Sequence, residues 1–138
     1  MGKTVRDLMT SNPRTIDSNQ SVMDAARIMR DEDVGMVPIT EGDRLIGTIT
    51  DRDIAIRIVA EGSDPSTAKA IDVASRELVT IDPQQDLDEA LRLMTKHQVR
   101  RLPAIEDDGR LVGVVAQADI AQHASASKTG QLVEGISK

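Results

Sequence analysis

The hydrophobic pattern of this chain alternates between helical and strand-like periodicity, and the same succession occurs twice. In two segments apolar residues recur every three or four positions, the spacing that gives a helix one buried face. They are Val22, Ala25, Ala26 and Met29 in the first half, and Leu87, Ala90, Leu91 and Met94 in the second. Each segment opens with the spacing of a capping box, as Ser21 with Asp24 and Asp86 with Glu89. We therefore predict one amphipathic helix in each half.

Strand-like pieces flank both helices. An extended piece precedes each helix, and two apolar runs follow it. The first half places these pieces at 14–17, 34–39 and 45–50, and the second half at 78–82, 99–105 and 111–116. The polar turns EGDR and EDDGR separate the paired runs, and a second helix begins near 51–53 or 117–119. Each half therefore has the predicted order β-α-β-β-α, an α/β (α+β) arrangement.

The two halves are copies of one another. A shift of 65 positions, which becomes 66 after one inserted residue, aligns at least 16 identical pairs. A period this long that occurs only twice indicates a duplicated subdomain pair and not a solenoid. We predict a first repeat at 1–62, a linker at 63–68, a second repeat at 69–126, and a tail with a short helix at 127–138.

The composition argues against several classes of function. The 138 residues include no Phe, Tyr, Trp or Cys and carry a formal net charge of −6. Without aromatic stacking platforms and with an acidic surface, nucleic acid binding is not expected. Cysteine-based metal sites are excluded, and the two histidines, His97 and His123, lack metal-ligand spacing, so no metal is predicted. The opening MGKTVRDLMTSNPRT has no long apolar run, so we expect neither a signal peptide nor a membrane span, and a cytoplasmic location.

The tandem order resembles the CBS domain pair, or Bateman module, over essentially the whole chain. The likeness rests on VRDLMT at the start, on VTIDP and HQVRRLP in the second half, and on the strand ends LIGTITDRDIA and LVGVVAQADIA. Within that family the chain is similar to small stand-alone bacterial proteins, some of which are induced by stress or hypoxia. The resemblance implies two repeats packed about a pseudo-two-fold axis. It also implies two clefts for adenosyl ligands such as AMP, ADP, ATP, NAD or S-adenosylmethionine.

Asp53 and Asp119 are the first candidate ligand-binding residues. Each follows a buried strand at the start of the second helix of its repeat. Such a carboxylate can cap the helix or accept hydrogen bonds from vicinal hydroxyls. The resemblance implies that it holds the ribose 2′- and 3′-hydroxyls, and we favour that role for both residues.

The phosphate contacts implied by the resemblance differ between the repeats. Thr50 would contact phosphate, whereas its counterpart Ala116 has no hydroxyl. Arg52 adds a charge beside Asp53, unless it is only a solvated surface residue or the partner of a neighbouring acid. Arg100 and Arg101 would also meet phosphates, although alternation along a strand predicts that only one faces the cleft. We therefore expect two clefts that do not bind phosphate alike.

Adenine would lie against aliphatic side chains and backbone groups. The implied contacts are Thr15, Ile16, Met36, Val37 and Pro38 in the first repeat, and Thr80, Ile81, Leu102 and Pro103 in the second. The alternative is that these are ordinary core residues, as we expect for most atoms of Val37 and Leu102.

These observations predict a regulatory ligand-sensing module that is not an enzyme and requires no cofactor. An adenine nucleotide would be its regulatory ligand, and an unidentified protein would be regulated by it. We also expect a homodimer, because Ile54, Ile58, Ile120 and Ala124 would give the second helices exposed apolar faces. The alternative is a structural or protein-interaction dimer without a small ligand.

Overall fold

The computed structural model describes residues 3–124, and the tail predicted at 127–138 lies outside them. The first half contains α1 (Val5–Leu8), β1 (Thr10–Ser11), β2 (Ile16–Asp17), α2 (Val22–Glu32), β3 (Met36–Glu41), β4 (Arg44–Thr50) and α3 (Asp51–Ile54), which a π-helical segment, Ala55–Val59, continues. The second half contains α4 (Ala70–Val73), α5 (Leu87–His97), β5 (Arg101–Ile105) and β6 (Leu111–Ala116), followed by α6 over 117–124. The predicted order β-α-β-β-α is confirmed, although a single bridge from Ile81 to Ala104 stands for the first strand of the second repeat.

Within residues 3–124 the strands form two three-stranded sheets, ordered β2-β3-β4 and β1-β6-β5. β1 belongs to the first half of the sequence, yet it pairs antiparallel with β6, where Thr10 lies opposite Val114. The other sheet has the equivalent contact, because Ser75 forms an antiparallel bridge with Thr48 of β4. Each sheet therefore takes one edge from the other half of the chain.

The hydrophobic cores show the same exchange. Val5 and Met9 are buried in the core of the second repeat, and Ala70 is buried in the core of the first. The Val5 N–H donates to the Gln85 carbonyl at 2.8 Å, and the Ala70 N–H donates to the Gln20 carbonyl at 3.0 Å. Gln20 and Gln85 occupy equivalent positions of the duplication. The contacts thus occur twice with the roles of the repeats interchanged, as the predicted pseudo-two-fold arrangement requires.

We call residues 4–11 and 68–76 the exchanged segments. The predicted division into 1–62 and 69–126 follows the repeat in the sequence, whereas each exchanged segment packs against the opposite half in space. The tips of the two hairpins also join, because the Leu45 N–H donates to the Gly109 carbonyl at 3.1 Å. Neither half completes a core and a sheet by itself, so the repeats form one packing unit.

The amphipathic helices begin where the sequence predicts. At α2 the Asp24 N–H donates to the Ser21 hydroxyl at 3.1 Å, and the Ser21 N–H donates to the Asp24 carboxylate at 3.4 Å. At α5 the Glu89 N–H donates to the Asp86 carboxylate at 2.8 Å, while the Glu89 carboxylate pairs with Arg92 at 2.6 Å. The predicted capping box is therefore complete at α2 and half-formed at α5, because an arginine one turn on binds the second carboxylate.

The expected exposure of the second helices is wrong for three of its four residues. Ile58 and Ile120 are only 2% and 4% exposed, and Ile54 packs against the first core. They form the stripe that each helix turns toward its own repeat, so only Ala124 of the four is exposed. Among residues 3–124, the large apolar side chains that do face outward are Ile56, at 47%, and Val59, at 72%. An apolar surface is present on this helix, but different residues form it.

Gly113→Ala is expected to destabilise the protein by about 1–3 kcal/mol, because overpacking at a tight contact costs that much. A Cβ at Gly113 would lie 2.8 Å from Met9 Cγ and 2.9 Å from the Thr10 carbonyl oxygen, both in the exchanged segment. Gly47 is the equivalent position in the first repeat, where the nearest atom would be Ile71 Cδ1 at 3.1 Å, the end of a flexible side chain. Gly47→Ala should therefore cost clearly less in thermal unfolding. Equal losses would contradict the close packing of β1 on β6.

Candidate ligand-binding clefts

Two clefts lie between the repeats, one beside Asp53 and one beside Asp119. The Asp53 cleft has a volume of about 280 Å³ and the Asp119 cleft about 360 Å³. Each combines the strand end and helix start of one repeat with the first part of β3 or β5 of the other. Residues at the end of an exchanged segment, or just after it, complete the wall of each cleft. Neither cleft can form from a single repeat.

The start of α3 fixes Thr50 and Asp53 in the Asp53 cleft. The Asp53 N–H donates to the Thr50 hydroxyl oxygen at 3.1 Å, and the Thr50 N–H donates to Asp53 Oδ2 at 2.9 Å. This is a capping box in which Asp53 is the third helical residue. Asp53 therefore has the helix-capping role that the sequence left open. It uses only Oδ2 of the carboxylate, and it uses the Thr50 oxygen only as an acceptor. Oδ1 of Asp53 and the hydroxyl proton of Thr50 therefore stay available for a ligand.

Three arginines line the same cleft: Arg52 from the first repeat, and Arg100 and Arg101 from the second. Both Arg100 and Arg101 line this cleft, and the expectation that the side chain of only one of them faces it stays a prediction. Strand alternation does not apply to this pair, because β5 begins at Arg101 and Arg100 precedes it. The carbonyl of Arg100 accepts the N–H of Gln117 at 2.7 Å, which fixes its backbone at the end of the sheet. The candidate phosphate contacts of the two repeats thus converge on one cleft.

Gly35 makes room for one of these guanidinium groups. A Cβ at this position would lie 3.2 Å from Arg101 Nη1 and 3.0 Å from Asp51 Oδ2. The guanidinium of Arg101 therefore lies against bare backbone, on the side of the first repeat. In the duplication Gly35 corresponds to Arg100. Gly35 of the first repeat thus leaves space for an arginine of the second repeat.

The Asp119 cleft has a different set of charges. It is lined by Asp119, Glu32 and Asp33, against the cations Arg14 and Arg101. Ala116 stands where the first repeat has Thr50, so this helix start has no hydroxyl at that position. Among the described residues the Asp119 carboxylate accepts no hydrogen bond. The expected inequality of the clefts is present in their charges and hydroxyls.

Met36 and Arg101 line both clefts. They are the first residues of β3 and β5 and occupy equivalent positions of the duplication. Each lies opposite the last residue of the neighbouring strand, Met36 opposite Thr50 and Arg101 opposite Ala116. One apolar and one cationic side chain therefore form the wall that the clefts share.

The remaining predicted adenine contacts divide into two groups. Pro103 lines the Asp53 cleft and Pro38 lines the Asp119 cleft. The others line neither cleft: they are the buried Ile16, Ile81, Val37 and Leu102, and the half-buried Thr15 and Thr80. The four buried side chains are core residues, as the alternative predicted. An adenine contact through any of the six residues stays a prediction.

Residues near the exchanged segments line the clefts but were not predicted to do so. Ser75, Glu77 and Val79 line the Asp53 cleft, and Arg14 lines the Asp119 cleft. The alternate spacing of the first three is a strand-like signal. That signal could have identified a face, but assigning it to the opposite repeat required knowledge of the exchange.

The comparison with known protein families matches both repeats. The family model described as CBS domain matches residues 5–60 and again residues 70–126. The chain belongs to the CBS domain family. It is a tandem CBS pair, which confirms the family predicted from the repeated strand ends and the VTIDP and HQVRRLP stretches.

Hypoxic response protein 1 and the CBS pair of protein MJ0100 align with this chain over nearly their whole length. Hypoxic response protein 1 of Mycobacterium tuberculosis is 40% identical over 134 residues, which cover 96% of this chain and 93% of the relative. The crystal structure of Hypoxic Response Protein I with two coordinated zinc ions superposes with a TM-score of 0.80 at 42% identity, covering 88% of this chain and 98% of that one. The CBS domain pair of protein MJ0100, in complex with 5-methylthioadenosine and S-adenosyl-L-methionine, gives a TM-score of 0.83 at 26% identity, covering 92% and 99%.

Residues 3–124 contain neither a cluster of metal ligands nor a membrane-spanning helix. Across residues 3–124 no three or more His, Cys, Asp or Glu side chains are grouped so that they could hold a metal ion. In the same part of the chain no helix has both the length and the apolar character needed to cross a membrane.

The capping box at α3 predicts a matched pair of stability changes. Thr50→Ala removes the hydroxyl that accepts the Asp53 N–H and should cost about 1 kcal/mol in chemical denaturation. Ala116→Thr adds the missing hydroxyl three residues before Asp119 and should stabilise the protein by a similar or smaller amount. If Thr50→Ala were neutral, the cap would not contribute to stability.

Proposed function

We propose that this CBS pair is a non-enzymatic ligand-sensing module that binds an adenine nucleotide, AMP, ADP or ATP, in the Asp53 cleft. The observation that carries the proposal is the convergence of Asp53, Thr50, Arg52, Arg100 and Arg101 on one cleft. In the sequence the first three belong to the first repeat, and the last two belong to the second. The exchange of segments and the packing of the repeats give a reason for their meeting.

The ribose would bind at the carboxylate of Asp53. Vicinal hydroxyls donate two hydrogen bonds, and Asp53 Oδ1 is outside the capping box that holds Oδ2. Because the same box fixes the backbone of the helix start, the carboxylate is oriented before a ligand arrives. Such preorganisation lowers the entropy lost on binding.

The phosphates would bind beside the arginines. A guanidinium presents a planar fork of donors that fits phosphate oxygens, and charge-assisted hydrogen bonds are stronger than neutral ones. The hydroxyl of Thr50 can donate to the same phosphate, since its oxygen accepts only the Asp53 N–H. Adenine would lie against aliphatic groups such as Val79, Val99 and Pro103, because the chain has no aromatic residue.

A bound nucleotide would act by favouring one arrangement of the two repeats. Only a ligand that binds two arrangements with different affinity can shift the balance between them. The Asp53 cleft is built from both repeats, so its ligand contacts both and can distinguish their arrangements. The nucleotide is in this view a regulatory signal read by another protein, not a substrate.

We also propose that the module is a homodimer that uses the outward face of α3 and its π-helical continuation. Ile56 and Val59 are exposed there, and both are apolar. This surface also favours the second candidate function, an interaction dimer whose surface is the function and which needs no ligand. Nucleotide binding distinguishes the two, because only the sensing module requires it.

ADP is expected to raise the melting temperature of the protein by several degrees at saturating concentration. Asp53→Asn keeps an oxygen for the Thr50 N–H but loses the charge, so ADP affinity should fall about tenfold or more. Asp119→Asn is the matched control at the equivalent position and should change this affinity much less. Absence of any stabilisation by AMP, ADP or ATP at millimolar concentration would reject nucleotide sensing and leave the interaction dimer.

Ile56→Lys is expected to shift the protein from dimer to monomer in light scattering coupled to gel filtration, because burying an unpaired charge in an apolar contact is unfavourable. Gln122→Lys is the matched control, since Gln122 occupies the equivalent position on α6 and is already polar. A dimer that survives Ile56→Lys unchanged would place the interface elsewhere.

A further inference from the structure

Arg101 is a cation that the two clefts have in common. It lines both, and so does its counterpart Met36, which carries no charge. The shared wall therefore contains one positive charge where two equivalent positions exist. This inequality goes beyond the difference between Thr50 and Ala116, because it concerns a group that both clefts can use.

The two clefts depend on this cation to different degrees. The Asp53 cleft has Arg52 and Arg100 in addition. The Asp119 cleft has only Arg14 besides, although three carboxylates line each cleft, so the two differ by one arginine. A phosphate in the Asp119 cleft would therefore need Arg101 more than a phosphate in the Asp53 cleft does.

The position of the side chain favours the Asp53 cleft. Nη1 of Arg101 lies 3.2 Å from the point where Gly35 would carry a Cβ, and Asp51 Oδ2 lies 3.0 Å from that point. Asp51 lines only the Asp53 cleft of the two. The guanidinium therefore lies beside the bare backbone of Gly35, at the Asp53 cleft. The same residue also lines the Asp119 cleft, where it lies opposite Ala116 in the β5–β6 pair.

We propose that the two clefts compete for Arg101, so that phosphate-bearing ligands bind to them with negative cooperativity. A nucleotide phosphate in the Asp53 cleft holds the guanidinium there, and the Asp119 cleft then favours an adenosyl ligand without phosphate. By linkage, a phosphate in the Asp119 cleft weakens nucleotide binding in the Asp53 cleft by the same factor. This inference rests on the proposed function, and adenosine, which lacks phosphate, should bind without such coupling.

Equilibrium dialysis with ADP tests the coupling, and adenine absorbance reports bound ligand well because the chain has no aromatic residue. Asp53→Asn and Asp119→Asn weaken one cleft each and give the affinity of the other cleft alone. In the wild-type protein the second ADP should bind about fivefold or more weakly than the Asp119 cleft does in Asp53→Asn. With adenosine, the wild-type affinities should equal those of the single-cleft variants.

Arg101→Met copies the residue that the duplication already tolerates as Met36. It should abolish the coupling between ADP molecules while both clefts still bind adenosine. Equal ADP affinities in the wild type and the single-cleft variants would overturn the proposal, and so would an Asp119 cleft that binds no ADP in Asp53→Asn. Coupling that persists undiminished in Arg101→Met, or appears equally with adenosine, would also overturn it. If neither ADP nor adenosine binds to any variant or to the wild type, the proposed function itself fails.

Discussion

The packing of each exchanged segment against the opposite half of the chain is the interaction on which the rest of this structure depends. Val5 and Met9 are buried in the second core, and Ala70 is buried in the first. Without these residues each half would expose the apolar surface they cover and one free sheet edge, which costs stability and invites aggregation. The same exchange brings Ser75 and Val79 to the Asp53 cleft and Arg14 to the Asp119 cleft. The stability of the fold and the lining of the clefts therefore rest on one set of contacts.

The helix start at Asp53 is a local motif that stabilises the structure and leaves polar groups at the cleft. A capping box needs one oxygen of its carboxylate and one lone pair of its hydroxyl. The other oxygen and the hydroxyl proton remain at the cleft, held by bonds that also define the helix. In the second repeat Ala116 removes the hydroxyl, and Asp119 remains without that constraint. The acid is thus present in both repeats, and the hydroxyl of the cap in only one.

Much of the fold could be read from local sequence. Helical spacing and capping residues placed α2 and α5, because these signals lie within a few residues of one another, and the repeated strand ends revealed the duplication. The exchange could not be read in this way. Nothing in the residues around Val5 says that they pack on β6, because that contact depends on how two similar sheets share their edges. For the same reason the meeting of Arg100 with Thr50 in one cleft was missed. The exposed faces of the second helices were misjudged because Ile58 and Ile56 are both isoleucine, and only packing separates the buried one from the exposed one.

Carrying both repeats on one chain has a consequence for the residues at the shared wall. Two separate copies of a single repeat could exchange segments in the same manner, but they would place identical side chains at the two equivalent positions, either two methionines or two arginines. Fusion makes the exchange intramolecular, at a high effective concentration, and so relieves each copy of the need to be self-complementary. Only a fused duplicate can have a wall with Met36 at one equivalent position and Arg101 at the other. Its asymmetry is what distinguishes this molecule from a symmetric pair of its own halves.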